Sequence, residues 1–387
     1  MTNRECVKAV LNYNSYDRLP MVHFGFWNET LEKWYVEGHI SKEQASRWAD
    51  ATPVDKEIGG KLGFDFNWLT CFLPANKLSP VFEEKVIEEY SDGSKKVLNE
   101  DGVLILVKPG KISIPQEFDR LLKDRASWEA HYLPKLQFSI SRVNEGVVTA
   151  GRAVFKFAPE GLKFLKEEKT REDPVGLFCG SLLGQIRNWL GLEGLSYLYA
   201  DDEKLFDEII NTVGELSYKV VESVLLTSAK FDFAHFWEDV CFKNGPLISP
   251  QVFEHKVGPH YKRITDLLRE HGVDIVSLDC DGCIDALIPT WLTNGVNTMF
   301  PIEVGTWNAS IKPWRQKYGK KIRGIGGMNK TVFAQDFAAI DAEVERLKPL
   351  VELGGFIPCP DHRIAPDAKW DNVRYYCDRM RKVFNNQ

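Results

Sequence analysis

Downstream of residue 174 the chain alternates short apolar runs with long amphipathic ones, and this alternation restricts the fold more than any other feature. Strands are predicted at 175–180, 231–237, 273–279, 295–300, 321–325 and 354–358, with helices at 203–228, 250–271 and 333–353 among them. Strands joined by crossover helices pair in parallel, so the pattern predicts a parallel α/β sheet, either doubly wound or closed as a barrel. Helix starts carry fitting residues: Ser249-Pro250 opens one, and Asp201-Asp202 precedes another. Upstream, residues 4–13 read as an amphipathic helix, and Tyr16 to Pro20 as a turn into an apolar strand at 21–26. Asp-Gly pairs between alternating segments from Val81 to Val107 are hairpin signals, so 78–112 is read as a β-hairpin insertion. The charged stretch 117–136 has a helical pattern. No repeat and no Pro/Gly/Ser-rich linker divides the chain, which predicts one domain over 1–387.

Composition removes some classes of function. A net charge of -6 leaves no basic footprint for nucleic acid. No apolar run approaches the roughly 20 residues that cross a bilayer, and the start MTNRECVKAVLNY lacks the apolar core of an export signal, so a cytoplasmic protein is expected. Eight cysteines without a spacing framework read as free thiols. Aromatic residues make up 12% of the chain, including 11 Trp, which suits a well-filled core or a pocket for a flat substrate.

The polar residues that follow the apolar runs carry the chemistry. They are Gly180-Ser181, Trp237-Glu238-Asp239, Asp279-Cys280-Asp281-Gly282, Glu303, Gly326 to Lys330, and Pro360-Asp361-His362. In a barrel of parallel strands such positions meet at the C-terminal mouth. Asp279 and Asp281, two apart on a strand, project the same way and repel unless a proton or cation sits between them. The competing reading is a turn at Asp281-Gly282 with Asp279 as a helix cap. Cys280 to Cys283 spells C-x-x-C but lacks the second pair of a zinc ribbon, so two half-buried thiols are expected. His362, just beyond the last strand, is a candidate zinc ligand or general base with Asp361 beside it, against a purely structural histidine. One of Glu238 and Asp239 should face the mouth; the spacing leaves open which. His235 belongs to the core, and Gly324-x-Gly326-Gly327 lacks the spacing of a phosphate cradle.

The opening RECVKAVLNYNSYDRLP, then EDVCFKNGPLISPQVFEHKVGPHYKRI, VSLDCDGCIDALIPTWLTNGVNTMFPIEVG, KIRGIGGMNK and GGFIPCPDHRIAPDAKWDNVRYY, in that order over residues 4–384, resemble the uroporphyrinogen decarboxylase-like superfamily. The resemblance implies a (β/α)8 TIM barrel with an N-terminal helical extension and the hairpin excursion already noted. That superfamily divides between porphyrinogen decarboxylation and methyl transfer involving a cobalamin held on a partner protein. The decarboxylases carry R-Q-A-G-R after the first strand, which clamps the substrate's carboxylates; this chain reads MVHFGFWNET. The methyltransferases bind zinc through a strand-end His-x-Cys and a later Cys, and the matching positions here are Asp279, Asp281 and His362.

The resemblance therefore implies a corrinoid-dependent methyltransferase of O-demethylase type, taking a methyl group from a methoxylated aromatic to the cobalamin of a partner corrinoid protein. It implies zinc on Asp279, Asp281 and His362 with Glu238 as fourth ligand. Glu238, Asp239 and Lys330 are the catalytic candidates. His23, Phe24, Trp27, Trp237, Glu303, Met328 and Asn329 are the candidates for contacting substrate, and a homodimer is an admissible assembly. The rival expectations are a metal-independent carboxy-lyase acting on a porphyrinogen, and a non-enzymatic scaffold on an inherited barrel.

Overall fold

The structure is a computed structural model that describes residues 1–109, 115–150 and 153–385. Its centre is a seven-stranded, all-parallel sheet. Strands β1 (Val22–His23) and β2 (Phe66–Asn67) form a separate pair; the sheet itself is β3 (Cys71–Phe72), β10 (Gly176–Phe178), β11 (Phe233–Trp237), β14 (Val276–Asp279), β15 (Thr298–Ile302), β16 (Arg323–Met328) and β17 (Phe356–Pro360). The spatial order is β17-β16-β15-β14-β11-β10-β3. β1 pairs with β2 in parallel, Val22 opposite Phe66, while β3, five residues further on, pairs with β10. On its other side the β1 segment reaches the chain leaving β17: Phe26 bridges to Ile364, and the Ile364 amide donates to the Gly25 carbonyl at 3.1 Å. The β17 edge of the sheet thus borders the β1 segment, and the β3 edge follows β2 along the chain.

Strands covered on both faces need continuous apolar sequence, and β15 and β17 are buried at every position. Trp68, between β2 and β3, fills the interior: its ring stacks on Phe233 at 4.3 Å, and its indole N–H donates to Ser277 Oγ at 3.1 Å. His235 Nδ1 meets the same hydroxyl at 3.1 Å, so His235 is a core histidine, and burial pushes it down to about 3, into the neutral form.

The six predicted strands and the 203–228 helix, observed as Glu203–Leu225, are all present. The helix expected at 250–271 is two, Pro250–Lys256 and Gly258–Glu270, because Pro259 lacks the amide that would continue the ladder across Val257. The N-terminal helix Asn3–Leu11 is closed by a reciprocal cap between Thr2 and Glu5, and the Gly355 amide, just ahead of β17, donates to its Val10 carbonyl.

The insertion is larger than the predicted hairpin. β4 (Lys85–Glu89), β5 (Lys95–Leu98), β6 (Val103–Val107) and β7 (Gln116–Arg120) form an antiparallel meander, so it extends beyond residue 112. Residues 110–112 of the predicted span lie outside those described. The expected helix over 117–136 is corrected: its first residues form β7, with Ile105 opposite Glu117, and short helical turns follow from 125 to 136. A second hairpin, β8 (Val147–Ala150) with β9 (Ala153–Lys156), went unpredicted. A small antiparallel pair, β12 (Cys241–Phe242) and β13 (Gly245–Pro246), follows β11.

The helix Gly184–Asp201, which follows β10, is bent at Gly191 (φ 69°). A Cβ there would lie 2.3 Å from the Arg120 guanidinium of β7. Close by, the Trp189 indole donates to Asp101 of the β5–β6 turn at 3.3 Å. The meander is thus fastened to this helix near its middle.

Candidate functional site

Successive residues on a strand point to opposite sides, and this rule sorts the polar ends of β11 and β14. Asp279 and Asp281 share a side, and Cys280 between them is buried. Asp239 joins them: single oxygens of Asp239, Asp279 and Asp281 all lie within 4.8 Å of one another. Asp239 leaves β11 with φ +48°, and its Oδ1 accepts the Asp281 amide at 3.0 Å. From the end of β17, His362 Nε2 comes within 3.2 Å of Asp281 Oδ2. Trp27 stacks on the imidazole at 5.5 Å, and Phe24 meets it edge-on at 5.7 Å. Four ionisable groups from three strand ends therefore meet under an aromatic flank.

Around them sits a ring of acids with their own partners. Glu303 accepts the Gly282 amide at 2.5 Å and the Thr306 hydroxyl at 2.8 Å. Asp361 accepts the Gly305 amide at 2.7 Å and the Lys330 amide at 3.1 Å. Burial pushes the Lys330 ammonium toward its neutral form, against the pull of Asp361, Glu303 and Asp281. Arg363 forms a two-pronged ion pair with Asp50 and lends positive charge to Asp279.

Three expectations are corrected. Glu238 is no metal ligand and does not face the cluster: it is wholly buried, and its carboxylate is consumed by hydrogen bonds to residues 181–184 and Tyr261. Its predicted place among the carboxylates is taken by Asp239. Met328 is fully buried, as apolar packing requires, and presents no surface to a substrate. His23 is 1% exposed and packs on Phe26 and Phe64, with burial pushing it down to about 3. Asn329 spends its side chain on Thr331, capping the turn that follows β16. Trp237 stays half-buried at the end of β11. The Asp50–Arg363 pair and Tyr261 were not foreseen; Arg363 adjoins His362, but no local pattern marks Asp50, 313 residues away.

The electrostatics favour a cation. Burial, then Asp239 and Asp281, push the Asp279 carboxyl well above the ordinary carboxylate range, and its oxygens accept no hydrogen bond from any described residue. Burial, then Asp281, push Asp239 up to about 6. His362 Nδ1 is buried without a partner. Three carboxylate oxygens and one imidazole suit a hard or borderline divalent ion, and the donor set contains no thiolate. A metal would replace the repulsion among these groups with coordination.

A carboxyl whose folded value is raised holds its proton more tightly folded than unfolded. For Asp239 that contribution favours the fold near its ordinary 3.8 and turns against it as pH climbs through about 6. Metal-free Asp279→Asn should therefore melt a few degrees above the parent at pH 7.5, and the gap should shrink toward pH 5. Scanning calorimetry in chelator checks both; a lower melting temperature at pH 7.5 contradicts the repulsion.

No family model and no curated protein sequence matches the chain. Among solved structures, a methyltransferase from Methanosarcina mazei superposes with a TM-score of 0.61 at 13% identity, covering 99% of both chains. A B12-independent methionine synthase from Shewanella sp. W3-18-1 gives a TM-score of 0.45 at 10% identity, over 95% of this chain and 98% of that one. No helix among the described residues is long and apolar enough to cross a membrane. The likeness to the Methanosarcina mazei protein is one of fold, and it runs the length of the chain.

Proposed function

We propose that β1 closes the sheet into an eight-stranded barrel forming a single domain, with β2 and β3 as successive parts of one barrel strand, and that its C-terminal mouth is a methyltransferase site. The reading is that a methyl group passes from a methoxylated aromatic to the cobalamin of a partner corrinoid protein in the cytoplasm. The observation that carries it is the convergence of Asp239, Asp279, Asp281 and His362 beneath Trp27 and Phe24. The shared fold with a protein named as a methyltransferase supports the reaction class.

Asp239, Asp279, Asp281 and His362 would hold the metal, zinc in the first instance, with Asp239 in the role first expected of Glu238. A bound cation of this kind supplies Lewis acidity that draws charge from an ether oxygen. Trp27, Phe24 and Trp237 offer flat faces to an aromatic ring, and their stacking excludes water from the ether. In such a transfer the carbon–oxygen bonding pair would stay on the oxygen, and a reduced corrinoid of the partner, as the methyl-accepting substrate, would supply the pair for the new bond. The Lys330 ammonium, made more acidic by burial, would give the released oxygen its proton. The negative charges of Asp361 and Glu303 lie near that ammonium, Asp361 accepts the Lys330 backbone amide, and Asn329 caps the turn that carries it.

The test combines metal analysis of the purified protein with a screen of methoxylated aromatics, methylamines and methyl thiols against a reduced corrinoid protein. Methyl-cobalt absorbance with a methoxylated aromatic, dependent on stoichiometric metal, is the expected result. Turnover of a porphyrinogen by metal-free protein, with no methyl-cobalt formed from any donor, would replace this reading with the carboxy-lyase.

A further inference from the structure

Glu238 has no place in the cluster, yet its carboxylate is bound with unusual completeness. Oε1 accepts the Leu182 amide at 2.8 Å and the Tyr261 hydroxyl; Oε2 accepts the amides of Leu183 at 2.9 Å and Gly184 at 2.6 Å, and the Ser181 hydroxyl at 3.1 Å. Ser181 Oγ in turn accepts the Gln185 amide at 2.9 Å. The carboxylate thus sits on the first turn of the 184–201 helix, where amides lack partners within the helix and the dipole favours negative charge. On the strand side, the Glu238 amide donates to the Asp279 carbonyl at 2.8 Å.

We infer that Glu238 is a positioning residue: anchored to this helix start and to Tyr261, it holds the backbone that delivers Asp239 to Asp279 and Asp281. The inference rests on the metal-site reading for its effect on turnover, while the geometry concerns the protein itself. One hydrogen bond, from the Asp281 amide, holds the Asp239 carboxylate directly. Burial and the Asp281 charge work against it there, and the positive charges of Arg187 and His362 only partly offset them. Its left-handed φ of +48° is a conformation that non-glycine residues keep when their surroundings fix it. Released from its neighbour, Asp239 would rotate out toward water and relieve the repulsion. Glu238 prevents this by immobilising the preceding residue on both sides, through its side chain and its amide. Gly184 completes the seat, since a Cβ there would fall 1.9 Å from the Glu238 carbonyl oxygen.

Glu238→Gln keeps the shape but offers one acceptor oxygen where two are used, and its amide N–H groups would face donors. Tyr261→Phe removes a single hydrogen bond. The experiment uses both full-length variants, with Mn2+ as an oxygen-ligand probe followed by the resonance of the free ion, steady-state kinetics on the methoxylated aromatic, and crystal structures without metal. Glu238→Gln should bind Mn2+ at least about tenfold more weakly and Tyr261→Phe about threefold, as expected for hydrogen bonds to a charged group. The loss should appear in kcat with KM for the aromatic unchanged, and metal-free Glu238→Gln should show Asp239 at negative φ, parted from the Asp281 amide. Unaltered Mn2+ affinity in the folded variants, with Asp239 in place, overturns the inference. If Glu238→Gln does not fold, Tyr261→Phe decides: weakened Mn2+ binding at parental melting temperature supports it, and parental binding overturns it. If the parent protein binds no Mn2+, the metal reading is what has failed, and the Asp239 backbone in the metal-free Glu238→Gln or Tyr261→Phe crystals decides the inference alone.

Discussion

Replacing His362 with alanine should cut metal affinity by at least about 100-fold and turnover by a similar or greater factor, since losing a direct ligand exceeds the 10–100-fold cost of losing a ligand's outer partner. The imidazole is the nitrogen donor among three carboxylates, lying 3.2 Å from Asp281 and held by Trp27 and Phe24. Without it three carboxylates must share any cation, and the wall that faces Trp27 is gone. The side chain is 21% exposed, so the metal-free variant should melt within a degree or two of the parent. Calorimetry in chelator beside a metal titration and the methyl-cobalt assay reads all three quantities. Parental affinity and turnover in this variant would remove His362 from the site.

The second large effect is on stability and lies at Gly184. A Cβ at this position would come within 1.9 Å of the Glu238 carbonyl oxygen and 2.6 Å of its carbon, both backbone atoms that have no rotamer to escape into. Gly184→Ala must push the helix start away from β11, breaking the amide bonds to Glu238, and should cost about 3 kcal/mol or more, at the upper end of overpacking. Gly194, in the same helix, is the control: its nearest neighbour would be the Leu190 Cβ at 3.5 Å, an ordinary contact. Gly194→Ala should be neutral or stabilise by up to about 1 kcal/mol through helix propensity. Denaturant melts of the pair check the contrast, and equal stabilities would contradict the packing at β11.

The strands of the main sheet were legible because burial on both faces writes itself as unbroken apolar runs, and the polar residues ending those runs marked the site. Asp279, Asp281 and His362 were named from that pattern, and the structure brings them together with Asp239. The choice between Glu238 and Asp239 was not legible, because it is made by residues 181–184, more than fifty positions earlier, and by a left-handed backbone that no local signal encodes. β7 was read as helix because Gln116 to Asp119 are all exposed, so neither periodicity is enforced by a core. The β-hairpin signal upstream was read correctly as strands since Asp92-Gly93 and Asp101-Gly102 place positive φ where tight turns demand it. The Asp50–Arg363 pair joins distant loops and could come only from the folded chain.

The bend at Gly191 bears on any attempt to make a smaller version of this protein. The antiparallel arm looks like an appendage that could be trimmed, but Arg120 and Asp101 grip the helix at its bend, and the far end of that same rod is bolted to Glu238. Excising the arm would uncover the bent part of the helix and loosen its grip on the Glu238 carboxylate. A minimal version would therefore need a straight replacement helix before it could lose the arm.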